Sequence, residues 1–153
     1  MGQSTNAEIN FGIAFEEDYE FPWSGEDSDI ENWWRDLNGF KHSFELFDSE
    51  GNYIDGKEPS GEVVVKYFDE EREFDKLHPL PVEMVNYCSG DYPMWIIAVP
   101  EVGKLARRGY PVTFNPTELV VSDVQMKTLV EFCEAHNLVG EGPPSWYLSS
   151  YWG

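Results

Sequence analysis

The stretch Pro81-Val82-Glu83-Met84-Val85-Asn86-Tyr87-Cys88-Ser89-Gly90-Asp91-Tyr92-Pro93-Met94-Trp95-Ile96-Ile97-Ala98-Val99 decides the fold. Its two ends, Val82 to Cys88 and Met94 to Val99, are strand-length runs rich in valine, isoleucine and aromatic residues. Between them, Ser89 to Pro93 is turn chemistry. Upstream, Asn6 to Phe15 places Ile9, Phe11, Ile13 and Phe15 on one side and reads as a further strand. Downstream, Ser145 to Trp152 alternates, with Trp146, Leu148 and Trp152 on one face and Tyr147 and Tyr151 on the other.

Helical patterns interrupt these strands. Ser28 to Gly39 carries an apolar stripe of Ile30, Trp33, Trp34 and Leu37, with Ser28 as cap, Glu31 three residues on, and Gly39 at the end. Ser60 to Leu77 has Val63, Val64, Tyr67, Phe68, Phe74 and Leu77 at helical spacing, with Glu71 breaking the stripe; Val63-Val64-Val65 equally reads as a strand end, and Pro79 and Pro81 stop the helix. Pro100 to Arg108, closed by Gly109, reads as a short helix. Ser122 opens another, with Gln125 completing a capping box and Met126, Leu129, Val130 and Cys133 as its buried stripe. Phe44 to Phe47 and Tyr53-Ile54, joined by Asp48-Ser49-Glu50-Gly51-Asn52, predict a β-hairpin excursion over 41–60. A calcium loop there lacks its glycine, since Tyr53 stands in the sixth position from Asp48. Strands and helices alternate without βαβ regularity. The expected fold is α+β, a mostly antiparallel sheet with three to four helices in a single domain, 1–153.

Composition narrows the function. The 153 residues hold 29 acids against 10 bases, a formal charge of −19. No broad basic surface is available to grip nucleic acid or an anionic membrane. The 24 Phe, Trp and Tyr side chains argue against a disordered polyanion. Residues 1–75 alone hold 21 acids and 5 bases. The acids cluster as Glu16, Glu17, Asp18 and Glu20, then Glu26, Asp27 and Asp29, then Asp69, Glu70, Glu71, Glu73 and Asp75, with Trp23, Trp33 and Trp34 interleaved. Carboxylates four residues apart on a helix, such as Asp69/Glu73 and Glu71/Asp75, stand about 5–6 Å apart. Such spacing is comparable to that of phosphates along a nucleic-acid strand. These fifteen residues are the expected partner-binding surface, directed at the basic groove of a nucleic-acid-handling complex. The simpler reading is that the charge confers solubility.

Catalytic patterns are weak. His42, His78 and His136 stand far apart, in no metal-ligand spacing, and neither Cys88 nor Cys133 belongs to a C-x-x-C. No glycine-rich phosphate loop is present and no G-x-S-x-G elbow. An alternative function is a small enzyme or nucleotide-binding protein using Cys88, Asp91 and the Lys104/Arg107/Arg108 cluster. That cluster also suits the last turn of the helix expected there, where cations complement the dipole. No signal segment and no membrane-length apolar run is visible, so the expected compartment is the cytoplasm. Neither a cofactor nor a metal is expected.

The opening Met1-Gly2-Gln3-Ser4-Thr5-Asn6-Ala7 with Phe11-Gly12 resembles small acidic proteins encoded by bacteriophages, mostly of unassigned function. So do His78 to Glu83, Tyr87 to Met94, Ala106 to Gly109 and the ending Ser145 to Gly153. The resemblance covers about a third of the chain and implies a phage origin and a life in the cytoplasm of an infected bacterial cell. Small acidic phage proteins often block host defence, some by imitating DNA. The resemblance therefore implies an anti-defence inhibitor of a CRISPR effector, restriction enzyme or similar complex. It carries no catalytic residues over.

Overall fold

A computed structural model describes residues 5–24, 29–54 and 56–152. Among the described residues the fold is α+β, with five strands and three α-helices. The chain divides into two compact units. The first comprises 1–22 and 81–153, and the second 23–80.

The first unit is built on β1 (Thr5–Phe15), which pairs antiparallel with three partners. Its first half lies beside β5 (Ser145–Trp152) and its second half beside β3 (Pro93–Ala98). Gly12 marks the exchange, opposite both Ser145 and Ala98. A Cβ there would fall 2.2 Å from the Ile97 carbonyl oxygen, so only glycine permits the approach. β2 (Glu83–Cys88) pairs along its whole length with β3 and touches β5 through one parallel bridge, Cys88 to Tyr151. The circuit β1–β3–β2–β5 thus closes on itself. Ala14, Val85, Ile96 and Ala98 gather on one face of it, with Tyr87 and Tyr147 packed against them. On β5 that tyrosine face is the covered one, while Trp146, Leu148 and Trp152 remain exposed.

The last helix of the chain, Asp123–Ala135, begins with the expected capping box between Ser122 and Gln125 and buries Leu129, Phe132 and Cys133. Burial pushes the Cys133 thiol up to about 11, which makes it inert. His136 caps this helix's C-terminus, where a dipole would favour its cation, yet burial lowers its pKa instead.

One expected helix is absent. Lys104–Ala106 forms the edge strand β4, paired with β1 through Ala7–Ala106 and Ile9–Lys104. Backbone pairing to a strand almost a hundred residues earlier overrides the local helical pattern. Lys104, Arg107 and Arg108 therefore do not sit in a helix's last turn. A turn with Gly109 at φ +78° carries the chain from Arg107 to Tyr110.

The second unit holds α1 (Ile30–Leu37) and α2 (Gly61–Leu77). Asp29, rather than Ser28, caps α1, its carboxylate accepting from the Asn32 N–H at 2.7 Å. Ser28 lies outside the described residues. The hairpin expected over 41–60 reduces to a single antiparallel bridge, Phe47 to Tyr53, around a turn in which Asp48 accepts from the N–H groups of Glu50 and Asn52. Backbone hydrogen bonds from the Asp48 N–H to the Asn52 carbonyl at 2.8 Å and from the Ile54 N–H to the Leu46 carbonyl at 3.3 Å flank this bridge.

Candidate acidic interface

The acidic clusters differ in how their charge is held. Glu16, Glu17, Asp18 and Glu20 follow β1 directly, and all four are exposed. A turn closed by Tyr19 N–H to the Glu16 carbonyl presents them. Beneath, Phe15, Tyr19 and Phe21 pack mutually at ring separations of 4.7–5.0 Å. The Tyr19 hydroxyl accepts from the Val139 N–H at 3.1 Å. No described cation ion-pairs with any of the four carboxylates. Aromatic packing thus fixes a patch of unneutralised charge. Glu26 and Asp27 lie outside the described residues, and Asp29 is engaged as the α1 cap.

On α2 the five predicted acids are all internally engaged. Arg35 of α1 donates to both oxygens of Asp75, at 2.9 and 2.8 Å, and lies 3.4 Å from Glu71. The Arg35 guanidinium is held above its ordinary pKa chiefly by Asp75. His42 approaches Glu71 through Nε2 at 3.1 Å and Glu70 through Nδ1 at 3.5 Å. Ser43 donates both its hydroxyl and its backbone N–H to Glu70 and so holds that carboxyl below its usual range. Asp69 pairs with Arg72, and Glu73 with Lys76, one turn along. Glu71/Asp75 therefore faces inward as a clasp on α1, and only Asp69/Glu73 remains on an outward face.

The tryptophans are structural here. Trp23 is only 5 % exposed and packs at a tilt against Trp33, ring centres 4.9 Å apart, so it is buried and is not an accessible anchor. Trp33 and Trp34 are half-buried, and the Trp34 indole donates to the His78 carbonyl at 3.0 Å. Sequence reasoning missed Arg35, His42 and Ser43. The available signal was a lone arginine inside an acidic run, followed by the aromatic spacing of Phe40, Phe44 and Phe47.

The residues of the alternative reading are dispersed in role. Cys88 ends β2 at φ +74°, and both cysteines are free thiols. The buried Ser89 hydroxyl accepts from Tyr92 N–H, and Asp91 is exposed. Lys104 pairs with Glu118 at 3.4 Å. His78 stacks on Phe74 within the second unit, its Nδ1 3.3 Å from the Phe74 carbonyl. Among the described residues no cluster of His, Cys, Asp and Glu is arranged to hold a metal ion, and no helix is long and apolar enough to cross a membrane. No protein-family model, curated protein or solved structure matches this chain.

Proposed function

We propose that the chain is a non-enzymatic, phage-encoded inhibitor that binds a host defence or nucleic-acid-handling complex, such as a CRISPR effector or restriction enzyme. It does so in the bacterial cytoplasm, and its acidic surface takes the place of nucleic acid in a basic groove. The observation carrying this reading is the Glu16–Glu20 turn, where exposed carboxylates without a described cationic partner stand on a packed aromatic bed. Solubility alone asks only for charge, and charge on mobile chain would serve it. Charge held in register on packed rings is suited to a partner with fixed cations, speeding encounter and setting register.

Glu16→Lys/Glu17→Lys/Glu20→Lys is the variant that tests it. The immobilised protein should retain a nucleic-acid-binding complex from nuclease-treated bacterial lysate at low salt and release it at high salt. Duplex DNA should compete, and the triple variant should weaken capture at least about tenfold. Capture indifferent to salt, to DNA and to the three reversals would sink the reading. Reversing Glu70 and Glu71 is the poorer test, because both hold His42 and would disturb the fold together with the charge.

A further inference from the structure

A cavity of about 660 Å³ opens within the second unit and is unused by the interface above. Four of its wall residues are Phe44, Phe47, Tyr67 and Phe68. Around Tyr67 the three phenylalanines lie 5.5–5.8 Å away, at interplanar angles of 71°, 85° and 87°. His42 covers one face of Tyr67 in a parallel stack at 3.6 Å. The phenylalanine contacts are edge-to-face contacts between the rings themselves, and together the four rings give the cavity an aromatic wall, whose ring faces carry negative quadrupole potential.

Carboxylates add to that potential. Burial, and after it the carboxylates of Glu71, Glu70 and Glu45, hold the Tyr67 hydroxyl above its ordinary pKa. Glu45 and Asp36 line the same cavity, and no described cation pairs with either. Two cations also line it. Arg35 is already neutralised by Asp75 and Glu71, and Lys41 is exposed. The unit already seats one cation on its rings, since Lys66 Nζ lies 5.3 Å from the centre of the Phe44 ring.

We propose that this cavity is a cation cage that receives an arginine side chain. A guanidinium is planar enough to lie on a ring face, and its N–H groups can reach the free carboxylates of Glu45 and Asp36. A quaternary ammonium could use the rings alone. The site stands on its own geometry. That its arginine comes from the basic partner rests on the function proposed above.

The test is an amide-resolved NMR titration of the full chain with N-acetyl-arginine-N-methylamide. The citrulline analogue serves as a neutral isostere, and tetramethylammonium as a cation without N–H groups. Arginine should shift Phe44, Glu45, Tyr67 and Phe68 saturably, on the order of millimolar, and citrulline should not. The exposed Glu45→Gln change leaves the ring packing in place and should weaken arginine binding about three- to tenfold. Phe68→Ala should do the same. Equal shifts from citrulline, shifts confined to other residues, or indifference to Glu45→Gln would overturn the cage. Tetramethylammonium binding as tightly as arginine would overturn the guanidinium assignment. In the lysate capture, Glu45→Gln/Phe68→Ala should lower retention several-fold, and unchanged retention would overturn the partner as the source of the arginine. Failure of the parent reading shows elsewhere, in capture that ignores salt and the Glu16–Glu20 reversals.

Discussion

Glu16–Glu20 and Asp69–Asp75 look alike in sequence, each a dense acidic run threaded with aromatic residues, yet the fold treats them oppositely. In the first, rings pack beneath and the carboxylates are left to solvent. In the second, the acids themselves do the packing chemistry, because Arg35, His42 and Ser43 reach them from other segments. Acidic density therefore does not measure the charge on offer to a partner. What matters is whether a cation elsewhere in the chain has claimed it.

Removing the claimant gives the largest effect. Arg35→Ala should cost about 2 kcal/mol in urea-induced unfolding, because the Arg35 side chain is largely buried and its loss removes two charge-assisted hydrogen bonds from Asp75 and leaves Glu71 with His42 alone. Arg35→Lys should recover only part of this, since an ammonium cannot make the paired contact to both Asp75 oxygens. A loss below about 0.5 kcal/mol for Arg35→Ala would place the α2 acids on the same footing as Glu16–Glu20. Trp34→Phe removes the indole N–H donated to the His78 carbonyl together with the five-membered ring that carries it. About 1–2 kcal/mol is expected there, from the same unfolding curves.

Acid should act on the second unit before any mutation is made. Glu70 is held below its ordinary value of 4.5 by the Ser43 hydroxyl and N–H. A depressed carboxyl contributes its full stabilisation above the unfolded value and loses it as pH falls through the folded one. The Ser43 contact should therefore persist at pH 4.5 and fail below it, with the Ser43 amide shift reporting a midpoint under 4.5. Ser43→Ala should raise the Glu70 midpoint, and a midpoint unmoved by that change would remove Ser43 as the cause.

These contrasts also mark what could be read in the chain. Local signals survived into the structure: the strand through Ile9 to Phe15, though it is buried on both faces from Asn10 onward, the Ser122/Gln125 box, and the paired runs on either side of Ser89-Gly90-Asp91. Signals that depend on distant partners did not. Lys104 to Ala106 has a helical neighbourhood and becomes a strand because Ala7 to Ile9 offers it an edge. Arg35 meets Asp75 across 40 residues, and His42 meets Glu71 across 29, so no window on the sequence contains either contact. The Glu16–Glu20 patch was legible because its support, Phe15, Tyr19 and Phe21, is interleaved with it. The cation cage was not, because Glu45 and Tyr67 belong to different segments of the second unit.

The smallest expected effect is also the sharpest test of the contrast. Glu16→Gln/Glu17→Gln/Asp18→Asn removes three charges that no described cation meets and leaves the rings beneath untouched. Stability should stay within about 0.5 kcal/mol, with any change favourable, because like charges crowded in one turn repel. Partner capture should nevertheless fall, since the long-range attraction resides in those charges. A stability loss above about 1 kcal/mol would mean that the turn, like α2, uses its acids to hold the fold together. The distinction between displayed and claimed carboxylates would then collapse, and with it the reason to place the partner at Glu16–Glu20.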